Sequence, residues 1–394
     1  MQRDPGALAA ALAQLDRAQL QRVRRVNHAR RPHASMIDNS GAPLEFCSND
    51  YLGLARHPAV VRAFVRAAER YGVGSGASHL VTGHGPEHAA LEEQVAAYTG
   101  RERALCFSSG YLANLGVIDA LIERRDQLLQ DRLNHASLLD AARLAGATLQ
   151  RYPHNDALAA ERMLSTRTAA NTLIATDGVF SMDGDIAPLP ALARLASAQN
   201  AWLLVDDAHG LGVLGRTGRG TCEHYQLDSN AVPILIGTFG KAFGTCGAFV
   251  AGSADLIEFL LQKSRTYIYT TALPPAIAAA TRAALELSEA ESWRRDKVLA
   301  LVERFRSGAL AREIPLTDST TPIQPVLLGS AARALAVSRA LDVRGIRVAA
   351  IRPPTVPPGT ARLRITFSAN HDEAAIDHLV GTLAQALAAN PAVA

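Results

Sequence analysis

Short apolar runs and helix-period stretches alternate along the middle of the chain. Residues 104–107, 172–175, 202–205 and 233–236 are continuous apolar runs, bounded by polar or glycine-rich segments. Strands buried on both faces leave runs of this kind, and the amphipathic stretches between them suit the crossover helices that parallel strands require. The pattern predicts an α/β fold: a large, mostly parallel sheet domain over residues 55–285 with helices on both faces. Ahead of it, Leu8, Leu12, Leu15, Leu20 and Val23 recur at helical spacing. They predict an amphipathic helix over residues 5–26, within an N-terminal arm and linker spanning 1–54. After Leu273-Pro274-Pro275 the pattern changes to a long helical stretch from 276 to about 312. Strands over 325–328, 346–351 and 363–367 and helices over 331–343 and 372–388 follow, so residues 286–394 are expected to form a smaller α+β C-terminal domain.

Composition narrows the function classes. The 394 residues carry 40 basic and 37 acidic side chains, a net +3, too weak a field to hold a nucleic acid or a membrane surface. Any anion site must be local. Cys47, Cys106, Cys222 and Cys246 are scattered without a C-x-x-C pair, which predicts free buried thiols in a reducing compartment and no metal site. No apolar stretch approaches the ~18 residues of a membrane span, and the N-terminal residues lack the pattern of a secretory signal, so a cytoplasmic protein is expected.

Chemistry gathers where parallel strands end. The run at 104–107 leads into Ser108-Ser109-Gly110-Tyr111, small residues opening a helix, a natural anion cradle. The run at 202–205 leads into Asp206-Asp207-Ala208-His209-Gly210, and the run at 233–236 into Gly237-Thr238-Phe239-Gly240-Lys241. Lys241, one of three lysines, sits between Phe239 and Phe243, a setting that would desolvate its amine and favour the neutral nucleophile. A lysine, an acid for a pyridine nitrogen and a phosphate cradle are what pyridoxal phosphate needs, and Lys241, Asp206 and Ser109-Gly110-Tyr111 supply them. The G-x-G-x-x-G at 210–215 competes for a dinucleotide reading, but Arg216-Thr217-Gly218-Arg219-Gly220 follows it and reads as loop instead of helix. The lysine segment lacks the Ser or Thr and the upstream glycine of a phosphate-binding Walker loop. His79, His84 and His88 have no metal-ligand spacing and read as polar loop and helix-face residues.

With those motifs assembled, the chain resembles the α-oxoamine synthases, fold type I pyridoxal-phosphate enzymes that join an amino acid to an acyl thioester. The resemblance is carried by Ser48-Asn49-Asp50-Tyr51-Leu52-Gly53-Leu54, Gly72-Val73-Gly74-Ser75-Gly76, Asn134-His135-Ala136-Ser137, Gly178-Val179-Phe180-Ser181-Met182-Asp183-Gly184, Asp206-Asp207-Ala208-His209-Gly210 and Thr238-Phe239-Gly240-Lys241. It implies that Lys241 carries the cofactor, Asp206 pairs with its pyridine nitrogen, His209 bonds its phenolic oxygen and His135 stacks on its ring. It further implies that Gly110 and Tyr111 bracket the cofactor, that Ser181 and Thr238 add hydrogen bonds, and that the protein is a homodimer in which Thr270 or Thr271 reaches the partner's phosphate. For substrates it implies Arg364 at the amino-acid carboxylate, with Asn49, Arg352 and Thr355 nearby. Arg22, or its neighbour Arg24 or Arg25, would meet the far end of the acyl chain. The segment 351–357 points to the biotin-pathway branch, whose substrates are L-alanine and pimeloyl-CoA or pimeloyl-acyl carrier protein. The alternatives are a sister reaction such as glycine C-acetylation, or a non-catalytic regulatory subunit. Asp177 stands where the resemblance leads one to expect glutamate.

Overall fold

The computed structural model describes residues 5–24, 26, 43–165 and 171–392. Its strands, in chain order, are β1 (Leu44–Glu45), β2 (Arg103–Phe107), β3 (Gln127–Asp131), β4 (Thr148–Tyr152), β5 (Thr172–Asp177), β6 (Trp202–Asp206), β7 (Ile234–Thr238), β8 (Ala248–Gly252), β9 (Ile323–Gly329), β10 (Ile346–Arg347), β11 (Ala349–Ile351) and β12 (Ala361–Thr366). Contacts divide the chain into two units, one from residues 49–181 and 185–298, the other from 1–48, 182–184 and 299–394. The grouping differs from a separate arm at 1–54, and the later crossing falls at 298–299 instead of 285–286.

The larger unit holds a seven-stranded sheet in the order β2-β8-β7-β6-β5-β3-β4. Neighbours from β7 through β4 are parallel, and β8 runs against both β7 and β2. Successive side chains in a strand point to opposite faces. Leu173, Ala175 and Leu204 therefore pack with Leu105, Val117 and Val250 in one core, while Ile174, Leu203 and Val205 pack with Leu129 and Leu192 in another. Two cores leave no solvent face, which is the physical reason the runs do not alternate.

Three strands of this sheet, β3, β4 and β8, lie outside the apolar runs read from sequence. Strand β3 carries two buried glutamines, and Gln130 Nε2 donates to the Leu138 carbonyl at 2.8 Å. Strand β4 is an edge, half exposed and polar. The long stretch after Leu273 is two helices, Pro275–Ala290 and Trp293–Leu310, with the break at Glu291, whose carboxylate accepts from Arg294 Nε at 2.6 Å.

In the smaller unit β11-β12-β9 form an antiparallel sheet and β1 pairs with β10 in parallel. The single strand expected over 346–351 is interrupted at Val348, and its halves join different sheets. The N-terminal helix is Pro5–Arg17 and does not continue to 26. Gln19 takes a left-handed φ of 56° and Leu20 N–H donates to the Leu15 carbonyl, the six-to-one bond that closes a helix end. Leu8, Leu12 and Leu15 remain exposed. Among the described residues no helix is long and apolar enough to cross a membrane. Cys106 and Cys222 are buried free thiols as expected, whereas Cys246 is exposed.

Candidate active site

The C-terminal ends of β2, β3, β5, β6 and β7 meet around one cavity of about 180 Å3 in the larger unit. It is lined by Gly110, Tyr111 and Asn114 after β2, His135 after β3, Asp177, Val179 and Ser181 at β5, Asp206, Ala208 and His209 at β6, and Thr238 and Lys241 at β7. Eight residues singled out in the sequence thus converge: Gly110, Tyr111, His135, Ser181, Asp206, His209, Thr238 and Lys241.

Helix Gly110–Leu121 opens on the cavity. Ser109 caps it, its Oγ accepting from Leu112 N–H at 3.3 Å, while the first intrahelical bond runs from Ala113 N–H to the Ser109 carbonyl. The N–H groups of Gly110 and Tyr111 precede that bond, so this end is built to receive an anion. The Tyr111 hydroxyl donates to Asp140, and its ring stands edge-on to His135.

Asp206 ends β6, buried, with Oδ1 accepting from Ala208 N–H at 3.1 Å and Oδ2 from Asn114 Nδ2 at 2.6 Å. Asn114 also donates to Ser137 Oγ at 2.8 Å, and Ser137 is bonded to His135 Nδ1 at 2.7 Å. A polar chain therefore links the acid to the imidazole. Sequence reading assigned no role to Asn114 or Ser137, although the i, i+4 spacing from Gly110 to Asn114 sets both on one helix face. His135 is also a helix cap, its Nδ1 accepting from Ser137 N–H, so the capping and cavity-facing readings hold together. Burial pushes its imidazole below the ordinary range, opposed by Asp206 and reinforced by Lys241. His135 N–H donates to Asp177 Oδ2 at 3.0 Å. Burial, then the charge of Asp206, pushes the Asp177 carboxyl well above the usual carboxylate range.

His209 Nδ1 lies 2.7 Å from the Tyr51 hydroxyl, which is fully buried and also donates to Asn49 Oδ1. Asn49 is thus tied to the site through Tyr51 and is not itself a lining residue. Thr238 Oγ1 donates to the Gly247 carbonyl and accepts from Gly240 N–H, fixing the turn that presents Lys241. Phe239 and Phe243 on either side are fully buried.

Asp207 is buried behind the cavity, its Oδ2 accepting from Thr221 N–H at 2.7 Å, and burial pushes its carboxyl up to about 8. Three glycines enclose it. A Cβ on Gly178, Gly210 or Gly220 would come within 2.6, 2.1 or 1.9 Å of its oxygens. The glycines at 210–215 are accordingly packing positions in a loop, closed by Gly212 N–H to the Gly218 carbonyl. His79, His84 and His88 form a ring cluster, with His79 stacked on Tyr267 at 4.8 Å and His88 fully buried, a more interior setting than the sequence suggested.

Thr270 and Thr271 do not line the cavity; the Thr271 carbonyl accepts from Ser108 Oγ. In the smaller unit Arg22 Nη2 donates to Thr355 Oγ1 at 3.2 Å, and Arg352 donates to the Gln19 and Gln21 carbonyls. Arg24 is exposed, and Arg25 lies outside the described residues. Arg364 is buried on β12, opposite Ala349 and Pro325.

Residues 42–383 match the family described as aminotransferase class I and II. The 8-amino-7-oxononanoate synthase of Methylococcus capsulatus is 57% identical over 380 residues, covering 96% of this chain and 98% of its own. The chain belongs to the 8-amino-7-oxononanoate synthase family. A solved member from Francisella tularensis superposes with a TM-score of 0.77 at 30% identity, covering 88% of this chain and 98% of that one. A serine palmitoyltransferase variant from S. paucimobilis, solved with a bound PLP–myriocin aldimine, gives 0.88 at 28% identity, covering 98% of this chain and 99% of that one. The architecture is that of the fold type I PLP-dependent transferases, and membership of the synthase family makes the protein an acyltransferase-type enzyme.

Proposed function

We propose that this chain catalyses the decarboxylating condensation of L-alanine with a pimeloyl thioester. The products are 8-amino-7-oxononanoate, CO2 and free thiol, in biotin biosynthesis, and the cofactor is pyridoxal 5′-phosphate. The observation that carries the reading is the convergence of Lys241, Asp206, His135 and His209 on one cavity beside an open helix N-terminus. The donor set fits the cofactor part by part. Gly110 and Tyr111 N–H groups suit the phosphate, Asp206 the pyridine nitrogen, His209 the phenolic oxygen, His135 the ring face and Lys241 the aldehyde, with Thr238 and Ser181 adding hydrogen bonds. The buried Asn114 Oδ1 lacks a protein partner, a further polar atom available in the same wall.

When bound, the cofactor draws off the electrons left at the amino acid's Cα. Asp206 would set its carboxyl group beside the ring nitrogen and favour a proton there. Lys241 Nζ would hold the cofactor, and its free amine would take the Cα proton as general base and later return one. Tyr51 orients His209 through its hydroxyl. Arg364 receives the alanine carboxylate in its guanidinium fork. Arg22, Arg352 and Thr355 receive the far carboxylate of the acyl chain. Burial and the guanidiniums of Arg22 and Arg339 lower the Arg352 pKa, a crowding of positive charge that an incoming carboxylate relieves. Exposed Val61, Phe64, Val65, Val73 and Val81 support a homodimer in which Thr270 or Thr271 serves the partner's site. The scattered free thiols support a cytoplasmic location.

A panel of amino acids and acyl thioesters, on coenzyme A and on acyl carrier protein, assayed for thiol release tests the reading. Alanine with the pimeloyl thioester should give the highest kcat/KM. A preference for glycine and acetyl-CoA would assign the glycine C-acetyltransferase reaction, and cofactor binding without thiol release a regulatory subunit.

A further inference from the structure

His154 takes no part in the chemistry above and does not line the cavity, yet both of its ring nitrogens are committed. Nδ1 lies 3.0 Å from Asp131 Oδ1 and Nε2 lies 2.7 Å from Asp185 Oδ2, while the ring stands edge-on to Phe180 at 4.4 Å. Two carboxylate partners require two donors, so the ring is an imidazolium.

Each carboxylate belongs to a loop that presents a cavity residue. Asp131, fully buried at the end of β3, also accepts from Leu133 N–H at 2.7 Å and Asn155 N–H at 2.8 Å. It thereby closes the turn leading to Asn134 and His135. Asp185 lies in the loop after β5, where its carbonyl accepts from Phe180 N–H, Val179 pairs with Ile186, and its carboxylate accepts from Asn155 Nδ2. That loop presents Val179 and Ser181. The two loops have a second tie nearer the cavity, in which Asn134 Oδ1 accepts from Asp177 N–H and Asp177 Oδ2 accepts from His135 N–H.

We propose that His154 is a positioning residue for the cofactor cavity: held between Asp131 and Asp185, its imidazolium fixes the loop that presents His135 relative to the loop that presents Ser181. The inference rests on the pyridoxal-phosphate reading of the cavity. Replacement frees the loops on the side away from the cavity, so the cost falls on how the cofactor is held.

The test is pyridoxal phosphate titration of the apoenzyme, with visible circular dichroism of the bound cofactor as a second readout. His154→Phe keeps the ring packing on Phe180 and removes both N–H groups. His154→Gln keeps one donor and guards against a misfolded Phe variant. The expected result is a Kd raised about tenfold or more in His154→Phe, about 1.4 kcal/mol. His154→Gln should show a smaller rise, and both variants a weakened dichroism band. Asp185→Asn should weaken binding similarly, and the double variant with His154→Gln should lose little more than the worse single one. Variants that melt earlier but bind the cofactor with wild-type Kd and dichroism would overturn the inference, leaving His154 a purely structural ion pair. Failure of the wild-type protein to bind pyridoxal phosphate would overturn the cofactor reading and this inference with it.

Discussion

Asp177 and Asp206 are register partners at the ends of adjacent parallel strands, and Gly178 N–H donates to the Asp206 carbonyl between them. Two buried carboxyls this close divide their roles. Burial and the charge of Asp206 bias Asp177 toward its protonated form, and its oxygen serves the His135 backbone. Asp206 accepts from Asn114 Nδ2 and faces the cavity.

Substitution should separate the two. Asp206→Asn keeps the shape but removes the charge, and turnover should fall by several powers of ten, on the order of the ~4 kcal/mol that three pKa units represent, with cofactor still bound. Asp177→Asn still offers an oxygen to His135 N–H, so its turnover should fall by less than about tenfold, or 1.4 kcal/mol. Turnover and cofactor content measured on the same preparations decide this. Near-normal turnover in a fully loaded Asp206→Asn enzyme would remove Asp206 from its role.

Among the three lysines of the chain, Lys241 lines the cavity. Borohydride treatment of the loaded enzyme should leave a pyridoxyl group on Lys241, located by peptide mapping. Lys241→Ala should abolish both the label and turnover. A label on Lys263 or Lys297 would reassign the cofactor's anchor.

Tyr51→Phe removes a buried hydroxyl 2.7 Å from His209 Nδ1. Leaving a buried polar atom without its partner costs ~1 to 3 kcal/mol. The expected outcome is a clear loss of turnover, at least several-fold, in a protein that still folds and melts at most a few degrees lower. An unchanged kcat would show that His209 needs no orienting partner.

His154 gives stability a pH signature. Burial acts against its charge, but the hydrogen bonds and charges of Asp131 and Asp185 outweigh it and raise its pKa to about 10. A raised folded pKa means stabilisation that is complete below the ordinary imidazole value of about 6.5 and lost as pH climbs through the folded value. Wild-type Tm should therefore fall between neutral pH and pH 10 more steeply than that of His154→Gln. Asp131 and Asp185 are the titratable groups bonded to the ring, whose remaining described ring neighbour is the non-titrating Phe180. Parallel Tm profiles would contradict the ion-pair assignment.

A strand with both faces covered is legible where its run is apolar and sharply bounded. That is why β5, β6 and β7 and the loops after them were legible, and the cavity with them, although β8, apolar and wholly buried, falls outside the runs read from sequence. Strands β3 and β4 were not, since Gln130 is buried by virtue of a hydrogen bond to Leu138 and β4 is an edge, and hydropathy records neither circumstance. The N-terminal helix was read too long because a left-handed turn at Gln19 is set by backbone closure, with no glycine to mark it. His154 escaped notice for a related reason. Its partners stand 23 and 31 residues away in sequence and meet it only after the strands have aligned.

The enclosure of Asp207 by Gly178, Gly210 and Gly220 restricts how this chain can diverge. A methyl group at any of the three glycines collides with the carboxylate already there. Gly220 is doubly held, since its φ of +82° suits no other residue well. A side chain at any of the three glycines therefore needs a change at Asp207 as well, which couples the four positions.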